Sequence, residues 1–301
     1  MPTAPIAVTG ATGALGGRVA RRLSGLGVPT RLLARDPGRC PELPGTEVAV
    51  FGGYDDTEGM RRALDGAASV FLVSAAEDPD RMKLHASAVD AVAAAGVPKV
   101  VYTSFLGALP HCTFTFGRHH WHTEELIRKT SASFTFLRDS IYLDYLPYFA
   151  GPHPADVHRA VIRGPAGDGR VSAVSRDDIA DSAVAVLTAE GDAAALHHGR
   201  TYDMTGPEAL TMDEAARIIS EVSGHRVTYK AETMDEAYAS RASYNAPAFE
   251  VEGWVTTYTA IANGELDKVS DDVARLTGHD PADLAGFMRA HPESYAHLTG
   301  S

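Results

Sequence analysis

The run Ile6–Gly17, IAVTGATGALGG, places Gly10, Gly13 and Gly16 at three-residue intervals. Glycines in this pattern suit the binding of a diphosphate. Gly10 permits a tight turn off a strand, Gly13 lets the backbone approach a pyrophosphate, and Gly16 lets the next helix pack close to a sheet. Free amides at the start of that helix, aided by its dipole, would hold the anion. Glycine-rich turns that bind nothing also exist, so the context carries the reading: a strand before, a helix after, and a complete βαβ unit.

A second group of interest is Arg35, at the end of the second apolar run, followed by Asp36. An acidic residue at this place binds the ribose 2′-OH of NAD(H), whereas an arginine can pair with the 2′-phosphate of NADP(H). Thr12 can add a hydroxyl donor. The expected cofactor is NADP(H), with NAD(H) left open by Asp36. The alternative for Arg35 is a solvated surface arginine.

His119, His120 and His122 form a cluster. His119 and His122 stand at i,i+3 and could share a metal, but no third and fourth ligand is apparent, so no metal site is assigned. His120 reads either as a ribose ligand or proton source, or as a structural histidine. Tyr142, Tyr145 and Tyr148 would place two rings on one face if helical, as a wall for a planar substrate or as core. Trp254 and Tyr258, at i,i+4, pack a C-terminal lobe and could close a pocket. Asp177 and Asp178 read as caps at a helix start.

Elements must position these groups. Short apolar runs at Ile6–Thr9, Thr30–Ala34, Glu47–Phe51, Ser69–Ser74, Lys99–Ser104 and Ser133–Arg138 predict six strands. Between them lie helical patterns at Gly13–Leu26 (with Leu15, Val19, Leu23 and Leu26 on one face), Glu58–Leu64, Asp80–Ala95 and Arg118–Thr130. Apolar strands separated by helices imply a parallel sheet covered on both faces. The fold class is therefore α/β, a Rossmann-type doubly wound parallel sheet with a small C-terminal α+β substrate lobe. Later segments read as a Gly-rich connection at Arg163–Arg170, a helix capped by Ser175 and running to Leu187, and a strand at Arg200–Thr205. Further helices fall at Thr211–Ser223, capped by Thr211 with Glu214 three residues on, at Phe249–Asn263 and at Pro281–Ala290. The expected division is a core over 1–150, to which 171–205 returns, and a substrate lobe mainly within 151–301.

Bulk properties narrow the classes. The 301 residues are 45% hydrophobic and 22% charged, an ordinary globular balance. A net charge of −12 without any basic run speaks against nucleic acid. Two cysteines, Cys40 and Cys112, suggest a reducing compartment. No signal peptide and no apolar stretch near the ~20 residues of a membrane span are seen, so a cytoplasmic protein without a membrane partner is expected.

The motifs together resemble the NmrA-like, atypical branch of the short-chain dehydrogenases/reductases, and within it the type 2 NAD(P)H:quinone oxidoreductases. The resemblance spans nearly the whole chain. It rests on Thr9–Gly17 (TGATGALGG), Tyr54–Thr57 (YDDT), Tyr102–Ser104 (YTS), His122–Ile127 (HTEELI), Phe136–Arg138 (FLR), Gly164–Val174 (GPAGDGRVSAV), Ser175–Ile179 (SRDDI) and Thr257–Gly278. It implies a pyridine-nucleotide site at Gly10, Thr12, Gly13, Ala14, Leu15, Gly16 and Arg35. Ser74 should lie near the ribose–diphosphate, and Thr103 and Ser104 near the nicotinamide half. Ser140, Ile141 and Tyr142 should flank the nicotinamide and substrate. Relatives tend to carry Asn in place of Asp139 or Tyr145.

Most short-chain reductases carry a Tyr-x-x-x-Lys pair on the helix after the fifth strand; the corresponding positions here are Phe116 and His120. Phenylalanine cannot donate a proton. The type 2 quinone reductases also lack the pair, and a quinone accepts hydride directly with less need of a protein acid. The resemblance thus implies an enzyme that passes hydride from NADPH to a quinone or similar conjugated small molecule, with Ser104, His120 and Tyr142 as catalytic candidates. Two alternatives stand beside it: a non-catalytic NADP(H)-binding redox sensor, and a biosynthetic ketone, enone or imine reductase. A monomer or homodimer is expected.

Overall fold

Strands that are apolar on both faces have to be covered on both faces, and the chain does this with helices. The computed structural model describes residues 4–153 and 156–299. In its first half, β1 (Ile6–Val8), α1 (Ala14–Gly25), β2 (Thr30–Ala34) and β3 (Thr46–Val50) are followed by α2 (Thr57–Leu64), β4 (Ser69–Leu72), α3 (Arg81–Ala94), β5 (Lys99–Phe105), α4 (Thr115–Arg128) and β6 (Ser133–Asp139). The remainder runs β7 (Ala150–His153), β8 (Asp156–Gly164), β9 (Arg170–Val171), α5 (Arg176–Thr188), α6 (Gly191–Leu196), β10 (Arg200–Met204), β11 (Leu210–Thr211) and α7 (Met212–Ser223). It closes with β12 (Arg226–Ala231), α8 (Met234–Arg241), α9 (Ala248–Ala262), α10 (Asp272–Thr277), α11 (Leu284–Ala290) and α12 (Ala296–Thr299).

A seven-stranded sheet has the order β10-β6-β5-β4-β1-β2-β3, and every pair in it is parallel. The order reverses between β1 and β4, which makes a crevice at their carboxyl ends. One face packs on α1 and α5 around Val8, Leu23, Phe71, Leu137 and Ile179. The other packs under α2, α3 and α4 around Leu33, Met60, Leu72, Val92 and Phe136. The strand β10 and helix α5 come from the second half of the chain.

A third core, around Ile162, Met212, Ile219, Tyr258, Ile261 and Met288, belongs to the second lobe. There β8 pairs parallel with β12 and antiparallel with β7. Sequence reading missed these three strands and took Arg163 and Gly164, the end of β8, for a loop. It also missed α8, although Thr233 and Glu236 form a capping box there. The expected capping box of α7, Thr211 with Glu214, is present. Leu26 does not join the buried face of α1: it lies just beyond the last turn and is 56% exposed. Among the described residues no helix is long and apolar enough to cross a membrane.

Candidate active site

Gly10 leaves β1 with φ +61°, a conformation that side chains resist. A Cβ on Gly16 would lie 2.3 Å from the carbonyl oxygen of Gly10, so α1 can approach the turn only with glycine there. Gly13 is the extended N-cap of α1, and no side chain caps that end. Thr12, Gly13 and Ala14 are exposed while Leu15 and Gly16 are buried. The turn therefore faces solvent with the first amides of α1 unsatisfied by the helix itself.

Arg35 follows β2 directly and is exposed. The carboxylate of Asp36 accepts the Gly38 N–H at 2.9 Å and caps a 3₁₀ turn at Pro37–Arg39. The acid that left NAD(H) open thus has a local structural task. Tyr54, unremarked in the sequence beyond its motif, donates to Thr9 and lies against the Val73 carbonyl, tying the ends of β1 and β4 together.

A cavity of about 1210 Å³ opens at the carboxyl ends of β4, β5 and β6, between the central sheet and the second lobe. Its floor holds Ala75, Arg81, His120, Ser140, Ile141 and Tyr142; the second lobe adds Arg241, Trp254 and Tyr258. Val73, two residues before Ala75, packs on Gly10, so cavity and turn share one sheet edge. Tyr145 and Tyr148 also line the cavity, although their segment is a series of turns ending in a 3₁₀ helix at Pro147–Phe149 and no α-helix. Tyr142 and Tyr145 stack at 5.8 Å between centroids, with the Arg176 guanidinium 4.7 Å and 4.4 Å from their ring centres.

The cavity floor is built from a network that sequence reading did not find. Arg81 and His85, one turn apart on α3, clamp the Ala75 peptide: Arg81 Nε donates to its carbonyl at 2.9 Å, and its N–H donates to His85 Nε2 at 2.9 Å. His85 Nδ1 therefore carries the proton and gives it to Thr123 at 2.7 Å. Arg81 Nη2 lies 3.1 Å from His120 Nε2, and His120 Nδ1 lies 3.0 Å from the Tyr102 hydroxyl. Arginine can only donate, so His120 accepts through Nε2 and holds its proton on Nδ1. Burial first, then the charge of Arg81, holds both imidazoles well below their usual value. His120 lines the cavity as a neutral ring that positions Arg81. Its proton faces Tyr102; of the readings the sequence left open, a ribose ligand or proton source and a structural histidine, these hydrogen bonds suit the second.

Tyr142 donates to Asp139 Oδ2 at 3.0 Å. Burial pushes the Asp139 carboxyl well above the usual range, which favours its neutral form. Ser140 is buried and its hydroxyl has no partner among the described residues. Ser104 does not line the cavity. It donates to Glu124 Oε1 at 2.6 Å, inside a fully buried carboxylate site that also receives Arg138 at 2.8 Å and Arg128 at 3.0 Å. Thr103 likewise stays behind the wall, accepting the Ser74 N–H at 2.7 Å. Ser74 itself ends up two residues beyond β4. Of the residues expected around the coenzyme and substrate, His120, Ser140, Ile141 and Tyr142 meet at the cavity, and Ser74, Thr103 and Ser104 do not line it.

Phe116, in the place of the usual proton-donating tyrosine, lines the cavity, and the Arg81 guanidinium sits 5.5 Å from its ring centre. His119 and His122 lie on α4 beside it, and no group of three or more metal-ligating side chains occurs among the described residues. The signal that could have found Arg81 was its place: just past the carboxyl end of a parallel strand at the switch point, one turn ahead of a histidine.

Fold and site together define a doubly wound, Rossmann-type α/β protein with an aromatic cavity at its carboxyl edge. The chain belongs to the NmrA-like family, whose family model matches residues 2–279. It is 34% identical over 296 residues to the (4-alkanoyl-5-oxo-2,5-dihydrofuran-3-yl)methyl phosphate reductase of Streptomyces griseus, covering 97% of this chain and 99% of that one. The NADPH complex of the Escherichia coli quinone oxidoreductase QOR2 superposes with a TM-score of 0.82 at 28% identity, over 98% of this chain and 99% of that one. The NADP(H) complex of Citrobacter triphenylmethane reductase gives 0.79 at 30% identity, over 97% and 99%.

Proposed function

We propose that this protein is an NADPH-dependent oxidoreductase that reduces a quinone or similar conjugated small molecule by direct hydride transfer. The observation that carries the reading is the 1210 Å³ aromatic-walled cavity sharing a sheet edge with the open turn Gly10–Gly16. Furanone, quinone and triphenylmethane, the skeletons for which the three relatives are named, are flat or conjugated. Such molecules suit a wall of Tyr142, Tyr145 and Trp254.

The residues fit the coenzyme. The amides of Thr12, Ala14 and Leu15 would receive the diphosphate, the Gly13 amide being bonded to the Gly10 carbonyl. Arg35 would receive the 2′-phosphate, with Asp36 engaged elsewhere. Ser140, with its unpartnered buried hydroxyl, and Tyr142 would flank the nicotinamide. Bound NADPH supplies the hydride. The cavity orients the acceptor over the sheet edge and screens it from water, and this placement provides most of the rate. The Tyr142 hydroxyl, hydrogen-bonded to Asp139, and water are the sources of the product proton.

Steady-state oxidation of NADPH and NADH against a panel of quinones tests the proposal. Turnover with at least one quinone and a preference for NADPH is the expected result. Tight NADPH binding with no acceptor reduced would replace it with the sensor reading, which Phe116 in the proton-donor place also suits.

A further inference from the structure

Arg81 is a guanidinium with only 4% of its surface exposed, set in the wall of an aromatic cavity. Nε and Nη2 are used by Ala75 and His120, and Nη1 has no partner among the described residues. Among the described residues no carboxylate forms an ion pair with it, and the charge of Glu77 acts on it only at a distance. A buried cation held by one carbonyl and one imidazole is expensive unless something it binds offsets the cost. The remaining arginines of the cavity, Arg163 and Arg241, share the single carboxylate of Glu232. Glu77 and Glu250 also line the cavity, so its charges are close to balance; what sets Arg81 apart is a buried donor, Nη1, left without a partner among the described residues.

Arg81 also occupies a telling place. It packs on Phe116 and bonds to His120, the two positions where most short-chain reductases keep the tyrosine and lysine. We propose that Arg81 takes over the electrophilic part of that missing pair, binding the acceptor oxygen on which negative charge develops. The proposal rests on the reductase reading and names its substrate class: neutral or anionic carbonyl-conjugated acceptors, and not cationic dyes. In the step, the hydride and its electron pair form a C–H bond at the electrophilic carbon of the acceptor. The π bond of the acceptor at that carbon breaks, its pair moves through the conjugated system onto the carbonyl oxygen as an enolate, and the oxygen then takes a proton from water or Tyr142. NADPH is oxidised to NADP⁺ and the acceptor gains two electrons and two hydrogens. An enolate forming beside a fixed guanidinium is stabilised without reorganisation. A cationic dye loses charge on accepting hydride, so Arg81 repels its ground state and gives its transition state nothing.

Two measurements decide it. The first needs no coenzyme: 4-nitrophenolate and its neutral analogue 4-nitroanisole are titrated into the wild-type protein. The phenolate should bind about tenfold more tightly, and the difference should vanish in Arg81→Met. Equal affinity of the two probes in the wild type would overturn the proposal whether or not the variant folds. The second compares acceptors: Arg81→Met and Arg81→Gln should lower kcat for a quinone ~100-fold while the Kd for NADPH holds. Reduction of a cationic triphenylmethane dye should hold or rise. A parallel loss with quinone and dye would refute the assignment. A wild type that binds NADPH but reduces no acceptor would sink the reductase reading alone, and the phenolate titration would then judge Arg81 by itself.

Discussion

Nη2 of Arg81 lies 3.1 Å from Nε2 of His120, and this contact sets the protonation of the whole cavity floor. Because the guanidinium must donate, the imidazole must be neutral, and its one proton then goes to Tyr102. A charged His120 would set two buried cations against each other. His120, which the sequence left open as a ribose ligand or proton source or as a structural histidine, thus braces Arg81, a cation the sequence reading did not single out.

That brace makes the fold acid-sensitive. His85, His119 and His120 are held below the usual imidazole value, first by burial and then by Arg81, and His119 falls to about 4. Their folded values are depressed, so the unfolded chain binds more protons once the pH drops below ~6.5, and stability falls from there downward. Each such group contributes up to ~1.4 kcal/mol per pH unit. Urea midpoints between pH 7 and pH 4.5 should decline steeply, and His85→Gln should flatten the slope by about one proton. An unchanged slope in that variant would show that His85 is protonated in the native state.

Asp139 acts in the opposite sense. Its folded value is raised, so the neutral form is favoured in the native state, and stability is lost as pH rises from the ordinary carboxyl range, ~4, towards the raised value. Asp139→Asn keeps the shape and an acceptor for Tyr142 without a titrating group. The variant should gain on the wild type in Tm as pH goes from 4 to 8. A constant offset across that range would mean that Asp139 does not change protonation on folding.

Arg35 should discriminate between coenzymes. Arg35→Ala removes a charge-assisted contact to the 2′-phosphate, and KM for NADPH should rise about tenfold to a hundredfold with KM for NADH nearly unchanged. Ratios of kcat/KM for the two coenzymes provide the check. Equal losses with both would assign Arg35 to the diphosphate or to the fold.

Glu124 is fully buried and serves Ser104, Arg138 and Arg128 at once. Glu124→Ala strands Arg138 beside an empty site and should cost about 3 kcal/mol or more in denaturant unfolding. Ser104→Ala removes only one neutral donor and should cost about 1 kcal/mol. If Ser104→Ala instead abolished turnover without loss of stability, the hydroxyl would belong to the chemistry after all.

The elements of the first half were legible because each repeats a local rule. Val70–Leu72 is buried on both faces and reads as an unbroken apolar run, and Leu15, Val19 and Leu23 recur every four residues. In the second lobe the rule weakens. β8 and β12 are partly polar strands from distant parts of the chain, and the alternation that marks a strand is diluted by Arg163, Thr228 and Lys230. Their pairing depends on a shared core with α7, which no local window contains.

The sequence by itself determined the glycine turn, the parallel core and the positions of Phe116 and His120, because turn geometry and hydrophobic period act over neighbouring residues. Only the tertiary structure decided what those positions do. Arg81 meets His120 across 39 positions, and Ser104 meets Glu124 across 20. Charge and protonation follow from burial and from the partner a group finds, and both exist only once the chain has closed on itself.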